Sequence, residues 1–477
     1  MIPSHRQART LASALAVLLF SPACALADSD LAARYIVIPA SPINPKPVQA
    51  STATLFQKLT ADFFLQDDGT MYVQTGDIPA MWLRDSSAQT RPYVRFIAQF
   101  PKLAQYIRAV IERNAKNVLT DPYANAFTAG YKIWEEKWEV DSLAYPLTLE
   151  YTYWRRTGDR SMFTPRLHWA WQHTIATYRC EQHHATCSHY RSRFLMSGRG
   201  ADFAYTGMIW CAFRPSDDPV RYPYNVPQNM FAVVALRELA EMAQAGYRDT
   251  KLSAQAAQIA DEVDAGIQRY GVVYDMARGA WIYAYEVDGF GTNLLMDDAN
   301  IPNLITATYY GYAVPGSPIY QNTRRFALSP DNPYYYSGKY ATGLGSPHTP
   351  TGWVWPLGIV GRGLTADTAA DTAAAIRTVQ GTTQGEELFH ESFDPNDLSR
   401  FTRTSFGWFE ALYAELLFRS ACGFDPDPLP APGAEVKFDY DEQRTPVVVA
   451  PPQLWLNADT AINAIGELLQ EGTTGSE

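Results

Sequence analysis

Residues 228–246 read QNMFAVVALRELAEMAQAG, with apolar side chains at Phe231, Val234, Ala235, Leu239 and Met242. That three- and four-residue spacing lays an apolar stripe along one side of a helix and predicts a helix packed against others. The same period recurs near residues 103–119, 141–156, 161–180, 250–269, 366–380 and 405–420. Strand signals are few. The best is a hairpin of Gly271–Tyr274 with Trp281–Val287, turned at Arg278 and Gly279. Long loops rich in Gly, Pro, Asn and aromatic residues join the helices. Such alternation, without a short repeat, predicts an all-α helical toroid whose paired inner and outer helices carry a site on one rim. A plain helical bundle would have shorter connections.

The chain ends differ from this body. Arg6 and Arg9 precede an apolar run from Leu11 to Phe20 and the tripeptide Ala25, Leu26, Ala27, the order of a secretory signal peptide cleaved after Ala27. The run is shorter than the ~20 residues that cross a bilayer. A secreted or periplasmic protein without membrane insertion is expected. Residues 28–424 then form the catalytic domain, and 425–477 a Pro-rich C-terminal tail to which the sequence attaches no role. Losing residues 1–27 removes two arginines and no acid, so the formal charge of −11 becomes −13. So acidic a chain disfavours nucleic acid as a partner. Aromatic residues make up 13% of it, including 12 Trp and 29 Tyr, which suit the C–H faces of sugar rings as well as a core.

Three loop segments carry unusual residues. In the first, around Gly76 to Gln89, Trp82 beside Arg84 and Asp85 offers a stacking face with donors and acceptors for vicinal hydroxyls. The alternative there is a structural ion pair at Arg84 and a helix cap at Asp85. In the second, Arg214, Asp217 and Asp218 stand among aromatic residues, where one of two adjacent carboxyls could keep its proton at neutral pH. Asp–Asp pairs also occur in plain turns. In the third, Glu391 between His390 and Phe393 could orient water as a base, or equally cap a helix.

Cys180, His183, His184, Cys187 and His189 crowd together, yet a zinc site wants a second ligand pair and none has suitable spacing. In an exported chain Cys180 and Cys187 could instead form a local disulfide, which the sequence leaves open. Phosphate-loop and GxSxG signatures are absent. Paired carboxyls, with no metal or cofactor, remain the best chemistry.

The stretches GDIPAMWLRDSSAQ (76–89), DPYANAF (121–127), KWEVDSLAYPL (137–147), FRPSDD (213–218), YPYNVPQNMFA (222–232), GLGSPHTPTGWVWP (343–356) and HESFDPNDLSRFTR (390–403) resemble glycoside hydrolase family 125, the bacterial and fungal exo-α-1,6-mannosidases. The resemblance runs from about Leu55 to Cys422. It implies an (α/α)6 toroid, a mannose-containing glycan as substrate, inversion at the anomeric carbon and no metal. Residue by residue, it puts the general acid at Asp218, with Asp217 as the neighbour that could replace it, and the general base at Glu391. It puts Trp82, Arg84, Asp85, Arg214, Asn229 and His348 around the terminal mannose. The cysteines at 180–187 and the tail are not family features. A sugar-binding protein without catalysis, and a toroid enzyme acting on a glucoside or uronide, are the alternatives; a uronide site would want more cationic groups. Oligomeric state is not legible.

Overall fold

The computed structural model describes residues 58–59, 61–98, 100–383 and 390–422. The segments expected to be a signal peptide (1–27) and a C-terminal tail (425–477) lie outside the described residues. Eleven α-helices and fourteen short strands occur among those described. The helices are α1 (Leu83–Thr90), α2 (Lys102–Thr120), α3 (Val140–Thr157), α4 (Pro165–Gln182), α5 (His184–Cys187), α6 (Val226–Tyr247), α7 (Thr250–Gly266), α8 (Pro318–Ala327), α9 (Pro356–Leu364), α10 (Ala369–Thr382) and α11 (Gly407–Cys422). All seven expected helices are present.

Their ends follow local chemistry. The Asn225 side chain accepts the Gln228 amide at 3.1 Å and Pro227 sits in the first turn of α6, which stops where Arg248 turns left-handed at φ 56°. Thr164 caps α4 in the same way and is followed by Pro165. Gly158 closes α3 at φ 66°, a conformation glycine adopts without strain.

Burial sorts the helices into two layers. In α3 every residue from Val140 to Tyr153 is buried, and α6 and α9 are nearly as enclosed. By contrast α2, α4, α7 and α10 bury one face each, the amphipathic stripe legible in the sequence. The inner helices touch in sequence: α11 on α1, α1 on α3, and α3 on α6, while α9 packs on α11. Outer helices lie against them, α7 on α6 and α10 on α9. Trp138, Trp171, Trp210, Trp355 and Trp408 are fully buried, so much of the aromatic content is core.

The strands are more numerous than expected. They form six small sheets, because stretches of two to six residues pair within loops too short to show alternation. The anticipated hairpin exists as Val272–Asp275 paired with Ala280–Tyr283. Its second arm does not run on to Val287. At Tyr285 the chain changes partner, and Glu286–Val287 pairs with Tyr224–Asn225 and Asn293–Leu294, tied there by a 2.6 Å bond from Arg214 to the Glu286 carboxylate. Two other sheets matter for the site. Met81–Trp82 pairs with Ala126–Phe127, and the hairpin Ser392–Asp394 with Asp397–Thr402 docks on Val354 through Phe393.

Candidate active site

These loops converge on one pocket with a cavity volume of about 150 Å³. The Met81–Trp82 strand runs straight into α1, so Trp82, Arg84 and Asp85 enter the wall together. Asp217, His348, Trp355 and Glu391 supply other parts of it, and Trp408 from the first turn of α11 adds a further aromatic surface. Gly76 lets the Thr75–Ile78 turn close over this region: at φ 56° a Cβ there would meet the Ser405 carbonyl at 2.6 Å.

Behind the pocket Arg84 is enclosed by four carboxyls. Its guanidinium donates to Glu139 Oε2 at 2.7 Å and Asp217 Oδ1 at 3.0 Å, with Asp85 at 3.4 Å and Asp141 at 3.6 Å. Trp408 covers it, the ring centroid 5.5 Å away. Burial opposes a charge here, but Glu139, Asp217, Asp85 and Asp141 together hold Arg84 firmly cationic. One arginine does not neutralise four anions, and protons make up the difference. Burial and the Asp217 charge push Glu139 well above the carboxylate range. Burial raises Asp141 to about 7 and Asp85 to about 6 against the pull of Arg84. Asp217 goes the other way: Arg84 and Glu139 outweigh its burial and keep it ionised.

Asp218, the next residue, has different company. Asp217 adopts φ 66°, which turns the two side chains apart. Asp218 Oδ2 accepts from the Ser216 hydroxyl at 2.8 Å and lies 3.6 Å from His348 Nδ1. Burial alone would lower the His348 pKa, but Asp218, then Asp217 and Glu391, raise it to about 9. The imidazole is therefore protonated at neutral pH. Glu391 comes from the Ser392–Thr402 hairpin. Thr402 Oγ1 donates to its Oε2 at 3.2 Å and Arg403 approaches Oε1 at 3.4 Å, while Arg403 is itself fixed by Asp77 and the Thr75 carbonyl.

Six polar atoms of the lining residues are buried without a hydrogen-bond partner: Thr75 Oγ1, Trp82 Nε1, Asn300 Oδ1, Trp355 Nε1, and Arg84 Nε with Asp85 Oδ2, which face each other as an ion pair at 3.4 Å. Orphaned polar groups are costly unless a ligand or solvent meets them. Two indole donors, the Asn300 acceptor and a hydroxyl around one cavity suit a polyhydroxylated ligand.

Over residues 49–418 the sequence matches the metal-independent alpha-mannosidases, GH125. The chain belongs to that family. The meiotically up-regulated gene 157 protein of Schizosaccharomyces pombe is 36% identical over 388 residues, 72% of this chain and 75% of its own. A Streptococcus pneumoniae metal-independent α-mannosidase, solved in a non-productive substrate complex with α-1,6-mannobiose, is 38% identical; the match spans 78% of this chain and 93% of that one, with a TM-score of 0.76. A bacterial glucoamylase complexed with acarbose shares the fold alone, at 13% identity and a TM-score of 0.55 over 78% of this chain and 55% of that one.

Within this α-mannosidase not every residue expected around the sugar lines the pocket. Trp82, Arg84, Asp85, Asp217, His348 and Glu391 do, and Asp218 stands directly behind Asp217 and His348. Arg214 is committed to Glu286, whose other oxygen accepts the amides of Arg221 and Tyr222. Asn229 spends its amide on the backbone of Ile209 and Asn225. Both brace the loops that carry the carboxyls. Sequence reasoning passed over Glu139, Asp141, Asn300 and Trp355. The first two showed one signal, paired acids at the start of an otherwise apolar helix. The Cys180–Cys187 disulfide is formed, with Cα atoms 5.3 Å apart, so those sulfurs are not metal ligands. Nearby His184 pairs with Glu181 at 2.6 Å and stacks on Trp210.

Proposed function

We propose that this α-mannosidase is a secreted or periplasmic exo-enzyme, built as an (α/α)6 toroid, that removes terminal α-1,6-linked mannose with inversion. Asp218 is the general acid and Glu391 the general base. The observation that carries the reading is the pocket itself: Asp217 and Glu391 line one cavity from separate loops, Asp218 stands beside its His348 wall, and unpartnered donors and acceptors rim it. Homology to a protein that holds α-1,6-mannobiose supports the linkage.

The reaction consumes one water. Asp218 protonates the glycosidic oxygen as the bond from it to the anomeric carbon breaks, and Glu391 removes a proton from the water that attacks the opposite face. Inverting enzymes hold the two carboxyls ~6.5–9.5 Å apart for that water, against ~5–5.5 Å in retaining ones. His348, protonated at neutral pH 3.6 Å from Asp218, is the group from which Asp218 takes the proton it delivers, whereas Arg84 beside Asp217 has none to give. Asp217 is a poorer donor, because Arg84 stabilises its anion. Comparing Asp218→Asn with Asp217→Asn on α-1,6-mannobiose tests the assignment. Loss of turnover only in the latter would exchange the two roles.

A further inference from the structure

We infer that a second carbohydrate site, for internal stretches of an α-mannoside chain, lies on the outer surface between α2, the turn at Asp68–Thr70 and the N-terminus of α4. An open groove there, with about 760 Å³ of empty space, is lined by Asp68, Thr70, Glu112, Thr164, Arg166 and Trp169. Trp169 is 57% exposed, more than any other tryptophan among the described residues. An indole left in water at the edge of a polar groove gains by stacking on the C–H face of a pyranose.

The groups around it are already oriented. Arg166 Nη1 donates to Glu112 Oε2 at 2.7 Å, and the Thr164 hydroxyl holds the other Glu112 oxygen. Asp68 is fixed by the Tyr131 hydroxyl at 2.6 Å and by the amide of Thr70 at 3.0 Å. A guanidinium beside a carboxylate presents donor and acceptor to vicinal hydroxyls, and the open shape admits a chain in passing where the catalytic pocket admits a chain end. Net negative charge makes a neutral glycan a better occupant than an anionic one. The choice of mannoside rests on the family's activity; the groove rests on its own geometry.

Native-gel retardation by soluble α-1,6-linked mannan tests this, with Glu391→Gln as the background so that the polymer survives. Trp169→Ala should weaken apparent mannan affinity by about five-fold, the scale of one lost aromatic contact. In the otherwise wild-type chain the same substitution should leave kcat/KM on mannobiose unchanged. Equal retardation with and without Trp169 would overturn the site, as would no retardation of a chain that cleaves mannobiose. Retardation that depends on Trp169 in a chain unable to cleave mannobiose would uphold the groove and reject the catalytic reading instead.

Discussion

Asp217 and Asp218 are consecutive residues with opposite electrostatic duties. Asp217 faces inward, where Arg84 bridges it to Glu139 and the charge is locked in place. Asp218 faces Ser216 and the protonated His348, with no arginine bound to its carboxylate among the described residues. The buried side of the pocket thus holds charge still, and the open side has charge that can move. A single left-handed residue separates the two environments.

The largest effects should fall on the movable side. Glu391→Gln removes the proposed general base and should cost ~10²–10⁴-fold in kcat on mannobiose and on an aryl α-mannoside alike. Asp218→Asn should cost a similar factor on mannobiose and distinctly less on the aryl substrate, whose leaving group needs little protonation. Asp217→Asn should lower activity without that dependence on leaving group. Steady-state kinetics on the two substrates would break the comparison if Asp217 and Asp218 showed the same pattern.

On the locked side the consequence is stability. Arg84→Met strands buried carboxyls without their cation and should destabilise the fold by about 3–5 kcal/mol in urea denaturation. Glu139→Gln replaces a group that burial and Asp217 already keep protonated, so its cost should be about 1 kcal/mol or less. Equal losses for the two would show that Glu139 carries a charge.

The movable side also carries a pH dependence. Protonated His348 stabilises the folded chain, fully so below its unfolded value of about 6.5. The contribution fades as pH rises to about 9, its folded value, which Asp218, Asp217 and Glu391 set against burial. Stability and kcat/KM should both decline across that window. His348→Gln should flatten the stability profile there, and a profile unchanged by the substitution would remove the histidine from the account.

The outer helices α2, α4, α7 and α10 were legible because each keeps a wet face, while α3 and α6 were legible from apolar spacing although nearly every side of them is buried, not one stripe. Helix α1 was not, because its polar residues Arg84, Asp85, Ser86, Ser87, Gln89 and Thr90 are buried, which erases the amphipathic period. Among site residues, Glu391 and the Asp pair stood out by composition. The Arg84 cluster could not, since its partners come from the far-separated starts of α1 and α3 and from the Ser216–Asp218 turn. Arg214 and Asn229 are the converse: polar residues in distinctive motifs whose side chains the structure commits to Glu286 and to the backbone of Ile209 and Asn225.

In the proposed mechanism two carboxyls act across one water. Proton NMR of α-1,6-mannobiose hydrolysis, read before mutarotation, tests it most directly. The anomeric signal of β-mannose should appear first and decay toward equilibrium. Initial release of α-mannose would mean retention, and would contradict the pairing of Asp218 with Glu391 as acid and base.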